Sequence, residues 1–172
     1  MLQKAEYCFD KLADWIGHAC GILMIAMMVN VFYNVIMRYF FKTGSIGFQE
    51  LEWHFFSLII LYGISYALKD DAHVRVDIFY EKFEPKTKAL VNMVGAVVFI
   101  LPISLLIATG STDFVLEAYS SNEGSPDPGG LSHRWLIKAM IPLAFYLLVF
   151  MTLGFILKNL NRYIACSAKK GA

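Results

Sequence analysis

WIGHACGILMIAMMVNVFYNVIM, residues Trp15 to Met37, runs for 23 positions without an Asp, Glu, Lys or Arg. At about 1.5 Å per residue a helix of that length reaches about 34 Å, enough to cross roughly 30 Å of hydrocarbon. Its apolar residues do not alternate with polar ones as in a barrel strand. The backbone N–H and C=O groups must therefore find their partners within a helix. Three further stretches are long and apolar enough to span: Phe48 to Leu68, Leu90 to Ala108, and Leu136 to Leu157. The sequence predicts an all-α integral membrane protein with four transmembrane helices in one membrane domain, residues 1–172.

Composition points the same way. Hydrophobic residues make up 58% of the chain and charged residues 17%, more apolar surface than a soluble domain of this size can bury. The net charge of +1 offers no field for nucleic acid or another polyanion. Cys8, Cys20 and Cys166 have no metal-ligand spacing and read as unpaired thiols. Residues Met1 to Asp14 are mixed in charge, and the apolar run after them far exceeds a signal-peptide core, so the first helix is expected to stay in the mature protein.

Basic residues divide unequally between the two sides. Lys4, Lys11, Lys69, Arg75, Lys82, Lys86, Lys88, Lys158, Arg162, Lys169 and Lys170 fall on one side, against Arg38, Lys42, Arg134 and Lys138 on the other. The positive-inside rule then predicts that both termini face the cytoplasm. Aromatic belts fit these boundaries, with Tyr39, Phe40, Phe41, Phe48, Trp53 and Trp135 outside and Tyr7, Trp15, Tyr80 and Tyr163 inside.

Ahead of the first span, Leu2, Ala5, Cys8, Phe9, Leu12, Ala13 and Ile16 recur at helical spacing opposite a charged face. That pattern predicts an amphipathic interfacial helix over about residues 2–14 that runs into span one and anchors at the membrane surface. A cytoplasmic connection of mixed charge is expected over about 69–89. An outer loop is expected over about 110–133, where Phe114, Val115 and Ala118 prolong helix three before the turn-forming Ser120 to Gly130.

Two polar stripes lie in the outer half of the first hairpin. Asn30, Asn34 and Arg38 follow one another at four-residue steps on span one, and Glu50, His54 and Ser57 form a like stripe at matching depth on span two, with Glu52 close by. Short connections make such helices antiparallel neighbours, so an ion pair of Arg38 with Glu50 or Glu52 is expected, clamping the hairpin. The centres of the spans carry no charged residue, and Pro102 and Pro142 are single prolines expected to kink helices three and four without unwinding them. Transport by this chain alone is therefore not expected. Ala13, Gly17 and Gly21 form a small-residue ridge that admits a close helix neighbour, internal or from a partner subunit.

A haem b membrane anchor is the alternative from another class, since it too uses four helices and histidines. It needs two imidazoles at one depth on facing spans. His18 and His54 lie at opposite depths, and His73 and His133 lie in loops, so no such site is offered.

Arg38-Tyr39-Phe40-Phe41, Gly47-Phe48-Gln49-Glu50-Leu51-Glu52, Gly63 with Ala67-Leu68-Lys69, and His73-Val74-Arg75-Val76-Asp77 occur in that order, with consistent spacing and sidedness. Together they resemble the small membrane subunit, of DctQ or SiaQ type, of the tripartite ATP-independent periplasmic (TRAP) transporters. The resemblance implies a sodium-driven importer of an organic acid in a bacterial inner membrane. Its other parts would be a large membrane subunit of DctM or SiaM type and a periplasmic substrate-binding protein. It implies a static scaffold embedded in lipid, with no enzymatic activity, no cofactor and no substrate site of its own. Arg38, Glu50 and Glu52 match the family's outer polar signature, and His73, Arg75 and Asp77 its cytoplasmic one; the resemblance gives them packing, lipid-headgroup or subunit contacts.

Overall fold

A computed structural model describes residues 2–69, 80 and 82–170. Helix α1 spans Leu2–Phe40, α2 Ile46–Lys69, α3 Pro85–Ser120 and α4 Trp135–Lys170. All four are long and apolar enough to cross a membrane. The motif residues His73, Arg75 and Asp77, expected on the cytoplasmic side, lie outside the described residues.

The helices extend beyond the minimal apolar runs. The amphipathic segment expected at residues 2–14 is the first part of α1 itself, a single helix of 39 residues or about 58 Å. Helix α3 continues through Phe114, Val115 and Ala118 to Ser120. It stops in a Schellman motif: Asn122 takes a left-handed conformation at φ 49°, the Asn122 amide bonds Tyr119 O at 3.1 Å, and the Glu123 amide bonds Ala118 O at 3.0 Å. Within α3, Ala96–Ile100 form a π-helical turn in which the Leu101 amide reaches back five residues to Ala96 O. The turn comes immediately before Pro102, whose ring displaces the preceding carbonyls and which has no N–H to offer. The proline is thus absorbed by a widened turn without unwinding the helix.

Helix α4 is the centre of the bundle. It packs extensively on α3 and α2 and touches α1, while α1 lies mainly along α2. About a third of the apolar stretch of α4 is buried, against 11% for α1. Ala13, Leu68, Ala96, Leu148, Met151 and Phe155 form the core. They come from the first third of α1, the end of α2, the first third of α3 and the middle of α4, so the core lies towards the end of the bundle that holds both termini. Elsewhere the helices present large apolar side chains outward, among them Ile22, Ile25, Val29 and Phe32 on α1 and Phe99, Ile103 and Leu106 on α3. A soluble protein does not expose contiguous surface of that kind, whereas lipid or a membrane partner covers it.

Candidate functional site

At the terminal end, two glycines let large rings enter. A Cβ at Gly17 would lie 2.7 Å from Tyr66 Cε2, so α1 and α2 close on each other only because position 17 has no side chain. A Cβ at Gly154 would lie 2.7 Å from Phe9 Cδ1, and the Phe9 ring also packs on Phe150 with centroids 4.9 Å apart. The start of α1 is therefore bound to α4. Asp10 pairs with Lys158 at 3.4 Å, Asn161 Nδ2 donates to Glu6 at 3.2 Å, and Lys69 pairs with Asp14.

Deeper at the same end, the Tyr80 hydroxyl donates to Asn92 Oδ1 at 3.1 Å. Asn92 Nδ2 donates to Asn159 Oδ1 at 3.1 Å, and Asn159 Nδ2 donates to Phe155 O at 2.9 Å. Asn159 is 1% exposed. Neither apolar run length nor the polar stripes of the first hairpin point to this α3–α4 clamp. Its signal was one asparagine near the start of span three and another just past the end of span four, which antiparallel helices bring to the same depth.

At the opposite end, Asn30 and Asn34 are buried and Asn30 Nδ2 donates to Phe48 O at 2.9 Å, joining α1 to α2. The expected ion pair of Arg38 with Glu50 or Glu52 is absent among the described residues: Arg38 is exposed, and Glu50 holds the outer loop instead. The cause is helical drift. Steps of four residues advance about 400°, so each member of a stripe turns about 40° from the last, and the third leaves the face of the first. The small-residue ridge drifts in the same way. Ala13 is in the core and Gly17 receives Tyr66, whereas a Cβ at Gly21 would meet nothing within 4 Å.

Glu50 takes the hydroxyl of Ser125 on Oε1 and the amide of Leu131 on Oε2, the latter at 2.5 Å. The loop it grips is folded. Ser125 N bonds Leu131 O at 3.0 Å, and Asp127-Pro128-Gly129-Gly130 closes a turn with Gly130 N on Asp127 O at 3.0 Å. Gly129 sits at φ 86°, where proline-glycine turns of this type need glycine. A Cβ at Gly130 would lie 2.8 Å from Glu50 Oε2, so glycine is needed there for the carboxylate to approach. Lys138 pairs with Glu123 and lies over the Phe114 ring at 3.8 Å, and Tyr119 meets Trp135 edge-on at 5.2 Å. His54 Nδ1 donates to Glu50 O at 2.5 Å, and His18 Nδ1 likewise to Asp14 O at 2.6 Å; each is held by its own helix.

The arrangement offers clamps between helices, and no group of three or more His, Cys, Asp or Glu that could hold a metal ion occurs among the described residues. Residues 27–162 match the family model of the tripartite ATP-independent periplasmic transporters, DctQ component. The chain belongs to the DctQ family. A Haemophilus influenzae protein described as a TRAP transporter small permease is 29% identical, over 88% of this chain and 92% of its own. The C4-dicarboxylate TRAP transporter small permease protein DctQ of Vibrio cholerae is 31% identical, over 55% of this chain and 40% of its own. The sialic acid TRAP transporter permease protein SiaT of Haemophilus influenzae is 26% identical, over 81% of this chain but only 21% of SiaT. This DctQ protein is therefore a small TRAP permease subunit and a multi-pass protein of the inner membrane.

Proposed function

We propose that the chain is the scaffold subunit of a sodium-driven TRAP transporter that imports an organic acid delivered by a periplasmic binding protein. On this reading it packs against a large membrane subunit of DctM or SiaM type, stabilises it, and holds no substrate site. Both termini face the cytoplasm, in line with the distribution of Lys and Arg.

The match to SiaT carries this proposal. There the four-helix unit is about a fifth of a longer permease, so in that protein it is covalently joined to a much larger remainder. Two features of this chain support a static role. The centres of its spans hold no ionisable side chain of the kind that coupled carriers use. Its helices are also tied at both ends, by ring-into-glycine packing at one and by Glu50 at the other. For the partner, α1 offers Ile22, Ile25, Val29 and Phe32, all exposed and spaced three, four and three residues apart, the seam along which helices interlock. Internal occupation of Ala13 and Gly17 favours this stripe over the small-residue ridge as the partner face.

Deleting the gene for this chain and restoring it on a plasmid tests the reading. The amount of large subunit in the membrane and sodium-dependent organic-acid uptake should fall together on deletion and recover together. Full uptake without the chain would reject a scaffold role.

A further inference from the structure

The asparagine clamp between α3 and α4 forms the floor of an open cavity of about 470 Å³ at the terminal end of the bundle. Sites for small ligands commonly enclose a few hundred cubic ångströms. Tyr80, Lys88, Asn92, Asn159, Arg162 and Cys166 line it, and no carboxylate is among its described lining residues. The Lys88 ammonium lies 5.3 Å from the centroid of the Tyr80 ring, a contact that leaves its N–H donors available to an anion. Arg162 is exposed and joins no ion pair among the described residues. Helix α3 begins at Pro85 in the cavity wall, which places the positive end of its dipole at the site.

The span bounds read from the sequence set the cavity at the edge of the hydrocarbon, at headgroup level: Pro85, Lys88 and Ala89 precede Leu90, Arg162, Ala165 and Cys166 follow Leu157, and Asn92 lies just inside span three. On the same turns of α3 and α4, Leu90, Val94 and Ile164 are exposed apolar side chains where acyl chains can lie. Basic pockets between transmembrane helices at this level are suited to acidic headgroups.

We infer that this cavity holds the phosphate of an anionic phospholipid, with Lys88 and Arg162 as its cationic partners and the apolar flanks of α3 and α4 along its chains. A water-soluble anion would have no use for those flanks. The site does not depend on the identity of the transported substrate or of the partner subunit.

Cys166 provides a reporter that needs no substitution, since it is half-buried in the cavity wall, whereas Cys8 on α1 is exposed. Maleimide labelling of both thiols is followed by mass spectrometry on the full-length chain in detergent, with phosphatidylglycerol, phosphatidylcholine or inorganic phosphate added. Phosphatidylglycerol should slow labelling of Cys166 several-fold relative to Cys8, and the other two should not. The protection should vanish in Lys88→Gln/Arg162→Gln and persist in Lys11→Gln/Lys82→Gln, which removes two exposed charges from the same end. Equal protection by phosphatidylcholine, protection by inorganic phosphate alone, or no protection by any of the three would overturn the inference. So would protection that survives in a folded Lys88→Gln/Arg162→Gln variant. If that variant fails to fold, the wild-type comparison decides.

Discussion

The two ends of the bundle are held together by different means. At the terminal end, rings fill notches left by glycine, Phe9 at Gly154 and Tyr66 at Gly17, over a core that all four helices share. At the opposite end the Glu50 carboxylate grips a turn-rich loop through Ser125 and Leu131, and Glu123 of that loop pairs with Lys138 on α4. The first arrangement gains from close packing, which is unforgiving of added volume. The second gains from a few charge-assisted hydrogen bonds to a segment that water can reach. Stability should therefore be concentrated at the terminal end, and the loop end should be able to open locally.

Substituting Gly154→Leu attacks the packed end most directly. The added side chain collides with Phe9, and overpacking of this kind costs about 1–3 kcal/mol or more. Thermal unfolding in detergent should show a large drop, and Phe9→Ala in the same background should recover part of it. Unchanged stability in Gly154→Leu would break the picture of the ring seated at that glycine.

A smaller effect distinguishes two glycines on one helix. Gly17→Leu should destabilise the α1–α2 pair by about 1–3 kcal/mol, because Tyr66 occupies the space. Gly21→Leu should stay within about 0.5 kcal/mol, as for surface positions in general. Equal losses in the two variants would mean that the ridge packs as one continuous face.

The smallest global effects belong to the loop end. Glu50→Ala should leave the unfolding temperature of the bundle nearly unchanged while raising the rate of protease cleavage within residues 121–134 several-fold. Arg38→Ala, exposed and outside any ion pair among the described residues, should change stability by less than about 0.5 kcal/mol and leave the loop protected. A loop as resistant in Glu50→Ala as in the native chain would show that its own turns hold it.

This contrast also marks what the sequence could reveal. Apolar run length located all four membrane-crossing helices, because lipid forces any polar backbone crossing it into long helices. The Asn30 bond to Phe48 and the seat for Tyr66 at Gly17 follow from the first two members of each four-residue stripe. The third members, Arg38 and Gly21, depart from the interface because a straight helix turns about 40° further with each four-residue step. Glu50 was legible as a polar residue in need of a partner. Its partners, 75 and 81 residues away, follow only from the loop folding back, which no local periodicity encodes. The Phe9–Gly154 seat is of the same kind, since a glycine in an apolar span reads alike whether it faces a ring or lipid.

The central claim, that the chain works as one part of a larger permease, is tested most directly by affinity purification through a tag on this chain from its native membrane in mild detergent. Mass spectrometry and an absorption spectrum of the same sample provide the readout. The account predicts a stoichiometric large membrane subunit and no Soret band. A chain that purifies alone, or with haem and a redox partner, would contradict it.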